Sequence, residues 1–255
     1  MTTDLTRYLQ RIAYDGPTER TAETLSRLHR AHMLAVPFEN LSIHAGETII
    51  LDDSALYGKI VERRRGGFCY ELNGLFAFLL RALGFDVVKL SAGVASKDGE
   101  FDPDFDHMAL MVRLEERWLA DVGFGDSFLS PLRLDYRGEQ SQDGDVYRIE
   151  EDADRLILLR REDEEWKPQY RFSLTPYEYA DFEPMCRYHQ TSPLSPFTQK
   201  RVCTRPTPQG RITLSELRLI TTSNGNQYER ELASEEEFSN LLREHFGIDI
   251  AGFKR

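Results

Sequence analysis

At residues 64–73 the sequence reads Arg64-Arg65-Gly66-Gly67-Phe68-Cys69-Tyr70-Glu71-Leu72-Asn73, and a strong helical pattern begins within this stretch. Apolar residues recur at helical spacing over residues 72–83, and Gly84 stands where a helix commonly ends in a left-handed residue. The paired glycines before the helix permit a tight turn or a close approach of two backbones. The stretch therefore predicts that Cys69 lies at or near the N-terminus of a helix.

Three compositional regions are arranged around this stretch. Residues 1–84 carry further helical patterns at 5–12, 25–32 and 56–61, which predicts a helical part that holds the cysteine. Residues 85–190 alternate short apolar segments with acidic and glycine-bearing turns, which predicts sequential antiparallel strands in a small barrel or a sandwich. Residues 191–255 combine hairpin turns at 207–210 and 224–225 with a helix near 238–246. The sequence thus predicts an α+β fold, and the Pro-, Ser- and Thr-rich segment 184–208 is interpreted as a linker or a partly ordered connection.

The composition is that of an ordinary soluble protein, with 40% hydrophobic and 29% charged residues. The net charge of −11 disfavours nucleic acid as a partner, because phosphate binding depends on clustered Lys and Arg. No segment approaches the ~20 apolar residues of a membrane span, and the N-terminus lacks the pattern of a secretory signal. The cysteines Cys69, Cys186 and Cys203 are widely spaced and form no metal-binding pattern. We therefore expect a cytoplasmic protein with free thiols, no metal and no membrane partner.

Cys69 is the candidate nucleophile. At a helix start, unpaired N–H groups and the helix dipole favour a thiolate, so the sequence predicts a lowered thiol pKa. A thiolate is the form that attacks an acyl carbonyl. The alternative interpretation is a buried cysteine that packs as a small hydrophobic residue.

His107 is the candidate base among six histidines, because it opens the apolar strand predicted at 107–112. His29 and His32, on an early helix next to arginines, are expected to face solvent. Asp121 interrupts the apolar strand predicted at 118–122, where a carboxylate is costly unless it is paired. The alternatives are a structural histidine and an aspartate that caps the turn before Gly123.

The turn between these two strands decides whether His107 and Asp121 share a face of the hairpin. A two-residue turn at 115–116 places Asp121 opposite Leu110, on the face away from His107, whereas a three-residue turn places it opposite Ala109 or Met111. We therefore predict a three-residue turn or a bulge. Cys69, His107 and Asp121 then reproduce the arrangement of nucleophile, base and orienting carboxylate.

The motifs resemble those of the arylamine N-acetyltransferases. The resemblance rests on four segments, in order over nearly the whole chain: Val36-Pro37-Phe38-Glu39-Asn40-Leu41, the stretch at 64–73, Asp121-Val122-Gly123-Phe124-Gly125, and Thr191-Ser192-Pro193-Leu194-Ser195-Pro196-Phe197. It implies a helical bundle at 1–84, a β-barrel carrying the histidine and aspartate at 85–190, and an interdomain segment with an α/β lid at 191–255. It also implies a cysteine-protease-like catalytic core and a ping-pong reaction. Acetyl-CoA would acetylate the cysteine, and an arylamine, hydrazine or arylhydroxylamine would take the acetyl group.

The same resemblance assigns residues to the site. The family's triad aligns with Cys69, His107 and Asp121. Its aromatic cleft aligns with Phe38, Phe124 and Phe197, for which plain core packing is the alternative. Glu39 and Arg65 match a pair that the family uses near the nucleophile, and a structural ion pair is the alternative. From its residues rather than from the resemblance, the loop Gly125-Asp126-Ser127 is expected to present backbone N–H groups to coenzyme A.

The acidic segment 97–106, directly before His107, departs from this pattern. Negative charge near the cleft repels the phosphates of coenzyme A, so the segment either points away or weakens cofactor binding. Two other functions stay open on the residues alone. One is a cysteine-dependent acyltransferase with a different donor, such as an amide synthase, or a related hydrolase. The other is a non-catalytic binding protein of the same fold.

Overall fold

The computed structural model describes residues 4–249. Among these residues the α-helices are Leu5–Arg11 (α1), Ala22–Ala35 (α2), Leu41–His44 (α3), Asp53–Tyr57 (α4), Cys69–Ala82 (α5), Tyr179–Thr191 (α6), Pro196–Gln199 (α7) and Glu235–Phe246 (α8). The strands are Phe38–Glu39 (β1), Asp86–Val94 (β2), His107–Arg113 (β3), Arg117–Ala120 (β4), Leu132–Arg133 (β5), Gln140–Gln142 (β6), Asp145–Asp152 (β7), Arg155–Glu162 (β8), Glu165–Tyr177 (β9), Val202–Thr207 (β10), Gly210–Ser215 (β11), Arg218–Ser223 (β12) and Asn226–Glu231 (β13). A π-helical segment, Gly58–Glu62, continues α4.

Helix α5 begins at Cys69, which confirms the helix start predicted from the sequence. The Glu71 side chain reaches back to accept a hydrogen bond from the Phe68 N–H at 3.1 Å, which satisfies one of the free donors at the helix start. Most side chains of α5 are buried, because the helix packs between the other N-terminal helices and the strands β2, β3 and β4. The helix therefore places Cys69 against the sheet that carries His107.

The larger sheet is an eight-stranded antiparallel barrel that is nearly closed, which confirms the α+β fold class and selects the barrel over the sandwich. Its strand order is β5-β4-β3-β2-β9-β8-β7-β6. Two glutamine side chains bridge the outermost strands. Gln140 accepts from the Arg133 N–H at 2.8 Å and donates to the Arg133 carbonyl at 3.1 Å, and Gln142 bonds the backbone of Ser130 in the same way at 2.7 and 2.8 Å. Amide side chains thus take the place of the missing ladder bonds.

The β3–β4 hairpin has the predicted three-residue turn. Arg113 pairs with Arg117 and Leu110 pairs with Ala120, so residues 114–116 form the turn. Continued by one residue, this register sets Asp121 opposite Ala109, on the face of the sheet that also carries His107. The turn length therefore brings the two side chains to one side of the hairpin.

The smaller sheet has the order β1-β10-β11-β12-β13 and is covered by α8. Both predicted hairpin turns are confirmed, because Thr207 pairs with Gly210 and Ser223 pairs with Asn226. Strand β1, from the N-terminal part of the chain, pairs with β10 and ties this sheet to the helices. No helix within residues 4–249 is long and apolar enough to cross a membrane.

The interpretation of residues 184–208 as a linker is wrong. The segment contains the second half of α6 and all of α7 and β10. Pro184 lies inside α6, where it cannot donate to the carbonyl of Ala180, whereas Pro196 opens α7 at its first position, where a missing N–H costs nothing.

Candidate active site

The turn before Cys69 is held by the segment that contains β1. Glu39 N–H donates to the Gly67 carbonyl at 2.9 Å, and a Cβ at Gly66 would lie only 2.0 Å from the Pro37 carbonyl oxygen. Only glycine permits this approach of two backbones. The paired glycines therefore serve to seat the start of α5 on the Phe38–Glu39 strand.

Glu39 and Arg65 form the expected pair, and two further charges join them. Arg65 Nη2 lies 2.8 Å from Glu39 Oε1, Lys59 Nζ lies 2.7 Å from Glu71 Oε1, and Lys59 Nζ lies 3.9 Å from Glu39 Oε1. All four side chains are buried. Burial alone would raise the pKa of Glu39, but Lys59 and Arg65 hold it below its usual value. Because Glu71 also caps α5, this network anchors the helix start that carries Cys69.

Cys69 is 3% exposed and lies in an apolar cluster with Phe68, Tyr70, Met108 and Phe182. Burial raises the pKa of its thiol, although a hydrogen bond from the backbone N–H of Met108 lowers it. The prediction that the helix start alone lowers this pKa is therefore wrong, because desolvation of the charged form outweighs the helix dipole. The sulfur nevertheless contacts the residue next to His107.

His107 and Asp121 are paired. His107 Nε2 lies 2.7 Å from Asp121 Oδ2, and both side chains are buried. The second carboxylate oxygen accepts from Asn73 Nδ2 at 2.8 Å and from the Gly123 N–H at 2.9 Å. Burial would raise the pKa of Asp121, but these partners lower it. The carboxylate is therefore held charged, and it orients the ring so that Nδ1 is the nitrogen left for other partners.

Asn73 joins α5 to β3 and to the segment that follows β4, and the sequence analysis did not single it out. Its Nδ2 donates to the Met108 carbonyl at 2.5 Å as well as to Asp121, and its Oδ1 accepts from the Val122 N–H at 2.9 Å. Asn73 lies one helical turn after Cys69 on the same face. That spacing, in a stretch otherwise filled with apolar residues, is the signal that identifies it in retrospect.

His29 does not face solvent, contrary to the expectation from the sequence. It is fully buried rather than exposed, as is His32. Its Nδ1 donates to the Leu129 carbonyl at 2.9 Å, while its Nε2 accepts from the backbone N–H of Asp121 at 3.1 Å. Burial lowers the pKa of His29 to about 4. The side chains of His29 and His32 each follow a core leucine, Leu25 and Leu28, by one helical turn, and this spacing indicates a buried face.

The three expected cleft phenylalanines surround these groups. The Phe38 and Phe197 rings lie 6.2 Å apart and pack on the apolar cluster of Cys69. The Phe124 ring lies edge-on to His107 at 5.2 Å. The structure therefore brings all three beside the triad from three different segments of the chain.

Two residues of the loop Gly125-Asp126-Ser127, Asp126 and Ser127, line a cavity of about 600 Å³ between the barrel and the smaller sheet. Arg30, Arg160 and Arg211 also line it, and Asp126 is paired with Arg211 at 3.0 Å. Ser127 is buried, and its hydroxyl has no hydrogen-bond partner among residues 4–249.

Asp102, Asp104 and Asp106 of the acidic segment line a different cavity of about 740 Å³. The acidic segment thus points away from the arginine-lined cavity. No group of three or more His, Cys, Asp and Glu side chains within the described part of the chain is arranged to hold a metal ion.

Comparisons with known proteins extend over almost the whole chain. A family model described as N-acetyltransferase matches residues 21–254. The arylamine N-acetyltransferase of Escherichia coli is 33% identical, over 98% of this chain and 90% of that protein. A Salmonella typhimurium protein described as arylamine N-acetyltransferase / N-hydroxyarylamine O-acetyltransferase is 34% identical, over 100% and 92%. The structure of the Mycobacterium marinum arylamine N-acetyltransferase in complex with CoA matches with a TM-score of 0.92 at 32% identity, over 99% of this chain and 95% of that one.

Proposed function

The chain belongs to the arylamine N-acetyltransferase family, and on this premise we propose that it transfers an acetyl group from acetyl-CoA to an arylamine, a hydrazine or an arylhydroxylamine by a ping-pong mechanism. The observation that carries the proposal is the contact of His107 Nε2 with Asp121 Oδ2 at 2.7 Å, next to a cysteine that opens a helix. This pair supplies a base whose ring is oriented and whose positive form is stabilised.

In the first half-reaction, the Cys69 thiol gives its proton to Nδ1 of His107 and its sulfur attacks the carbonyl carbon of the acetyl thioester. Burial disfavours an isolated thiolate, so the sulfur ionises together with formation of the imidazolium, which keeps the net charge of the pair unchanged. The Asp121 carboxylate stabilises the imidazolium. As the carbon–sulfur bond to coenzyme A breaks, His107 returns the proton to the departing sulfur, and Cys69 carries the acetyl group.

In the second half-reaction, the acceptor nitrogen or oxygen attacks the acetyl carbon on Cys69. His107 takes the proton from the acceptor and passes it to the cysteine sulfur as the product forms. Phe38, Phe124 and Phe197 are the aromatic surface against which the ring of the acceptor packs. Glu39 and Arg65 act indirectly, because they fix the position of the backbone segment that precedes Cys69.

The arginine-lined cavity fits coenzyme A. Guanidinium groups bind phosphate oxygens bidentately, and the cavity brings together Arg30, Arg160 and Arg211. The buried Ser127 hydroxyl, which has no partner among the described residues, is available to a phosphate oxygen. The arginines are paired with Asp143, Asp145 and Asp126, so phosphate binding must share or exchange these ion pairs. Asp126 itself therefore contributes its backbone N–H rather than its carboxylate.

Mass spectrometry after brief exposure to acetyl-CoA tests the proposal. We expect one acetyl group on Cys69, and its loss when an arylamine is added. Cys69→Ala abolishes both steps, whereas Cys186→Ala, which removes another buried cysteine of the same apolar cluster, keeps them. Acetyl transfer that survives Cys69→Ala rules the mechanism out, and a wild-type protein that stays unmodified supports a different donor or a non-catalytic role.

A further inference from the structure

A second cavity has a volume of about 740 Å³. It is walled by the segment 102–106, by α6 and by α7, and it has no Lys or Arg among its described lining residues. Its walls combine apolar side chains, including Phe105, Leu194 and Phe197, with four carboxylates from Asp102, Asp104, Asp106 and Asp181. A largely apolar cavity with a few converging polar groups is the usual form of a small-molecule site.

The four carboxylates differ in their partners, and Asp106 Oδ1 lies 3.1 Å from His189 Nε2. Asp104 is paired with Arg155, where Oδ2 lies 2.9 Å from Nη2, and Asp181 accepts the Glu178 N–H at 2.8 Å. Burial and the neighbouring charge of Asp106 raise the pKa of Asp102, while the nearby His189 acts to lower it. The mutual repulsion of Asp102 and Asp106 indicates negative charge that a bound cation would neutralise.

A buried histidine of the same cavity also lacks a hydrogen bond. His189 is 2% exposed, and its Nδ1 is bonded to Ser195 Oγ at 3.0 Å. Its Nε2 lies 3.1 Å from Asp106 Oδ1 but out of line, so that it has no hydrogen-bond partner among residues 4–249. A buried polar atom in this state costs free energy, which a polar group on a ligand would recover.

The cavity is adjacent to the reacting groups. Asp106 directly precedes His107, and after burial its charge is the main influence that raises the pKa of Cys69. Phe105 and Phe197 pack on the apolar cluster that contains Cys69. The cavity therefore shares Phe105 and Phe197 with the apolar cluster that encloses the sulfur.

We propose that this acidic cavity receives the acyl acceptor and that Asp102 and Asp106 select aromatic amines or hydrazines that carry a second, positively charged group. The inference rests on the proposed function. The reacting nitrogen must be neutral to attack, while a remote ammonium or amidinium group is attracted by the carboxylates and the ring packs on Phe197. A benzoate-type acceptor and the phosphates of the donor are repelled, which leaves the donor to the arginine-lined cavity.

The test compares kcat/KM for three matched acceptors, which are (para-aminobenzyl)trimethylammonium, para-toluidine and para-aminobenzoate. We expect the order cationic, neutral, anionic in the wild type. Asp102→Asn and Asp106→Asn should each reduce the ratio of cationic to anionic kcat/KM by about tenfold. Asp98→Asn removes the same charge from the same acidic segment at a position that does not line the cavity, and it should leave the ratio unchanged.

Two further measurements keep the result interpretable. The wild-type preference should shrink as salt is added, which needs no variant to fold. Acetylation of Cys69 by acetyl-CoA is followed separately. If Cys69 is acetylated but the wild type shows no cationic preference, or if all three variants have the same ratio, the inference is overturned and the proposed function stands. If Cys69 is not acetylated, the proposed function is contradicted and the inference fails with it.

Discussion

The backbone N–H of Asp121 donates a hydrogen bond to Nε2 of His29 at 3.1 Å, across 92 positions of the chain. The carboxylate of the same aspartate is bonded to His107, so one histidine contacts the backbone of Asp121 and another contacts its side chain. Because His29 has a pKa of about 4, it is neutral at physiological pH, and its Nε2 stays an acceptor. We infer that His29 is a positioning residue for Asp121.

His29→Leu should lower the rate of Cys69 acetylation by about tenfold or more, because it leaves the Asp121 N–H unpaired and frees the carboxylate to shift. His29→Gln keeps an acceptor at the same reach and should recover most of the rate. Single-turnover kinetics at several acetyl-CoA concentrations distinguish the effects, since the maximal rate of acetylation should fall with little change in the acetyl-CoA concentration that gives half of it. Equal rates in Leu and Gln variants of matched stability would contradict a positioning role.

The pH dependence of stability should report His29 directly. Its folded pKa of about 4 lies below its ordinary value of 6.5, so between these values the unfolded chain binds a proton that the folded chain does not. Stability is therefore lost as pH falls through this window, by up to about 1.4 kcal/mol per pH unit for one such group. Urea unfolding between about pH 7.5 and 5 should show a shallower decline in His29→Gln than in the wild type. Parallel curves would show that His29 does not titrate in this way.

The reactivity of Cys69 should depend on the pair behind it. Burial raises the pKa of an isolated thiol, so ionisation near neutral pH needs the His107 imidazole and the Asp121 carboxylate. In a Cys186→Ala, Cys203→Ala background, the pH midpoint of iodoacetamide alkylation should move up by more than about one unit in His107→Gln. Asp121→Asn should give a smaller upward shift. An unchanged midpoint in His107→Gln would show that His107 does not promote ionisation of the Cys69 thiol.

Gly123→Ala should slow acetylation by displacing the loop after Asp121, because it adds a methyl group and changes no reacting side chain. A Cβ at Gly123 would lie 2.8 Å from Cys69 Cα and 2.7 Å from Asn73 Nδ2, so the loop after Asp121 must move away from α5. We expect acetylation to fall by roughly tenfold to a hundredfold. Gly58→Ala is the matched control, because the new Cβ would meet only the end of the Glu62 side chain at 3.7 Å. Wild-type rates in Gly123→Ala would show that the contact is not needed.

Local patterns carried much of the fold and of the triad geometry. The start of α5 at Cys69 follows from paired glycines and a helical stripe, and the three-residue turn at 114–116 follows from the need to put Asp121 on the face of His107. The helix start and the turn length both depend on residues that are close in the sequence, so their spacing can be read from the sequence. The same is true of the two hairpin turns of the smaller sheet.

Burial and ionisation depended instead on segments that are distant in the chain. From the sequence, His29 was expected to face solvent and the Cys69 thiol to have a lowered pKa. Both expectations were wrong, because the position of a residue in a helix does not predict which distant segments pack against it. Only the tertiary structure decided that Leu129 and Asp121 would bond the two ring nitrogens of His29 and that Asn73 would bond both β3 and the segment after β4. It also decided that Asp106 would line a different cavity from Ser127. Desolvation and charge pairing are sums over all groups nearby in space, and the chain brings those groups together only when it folds.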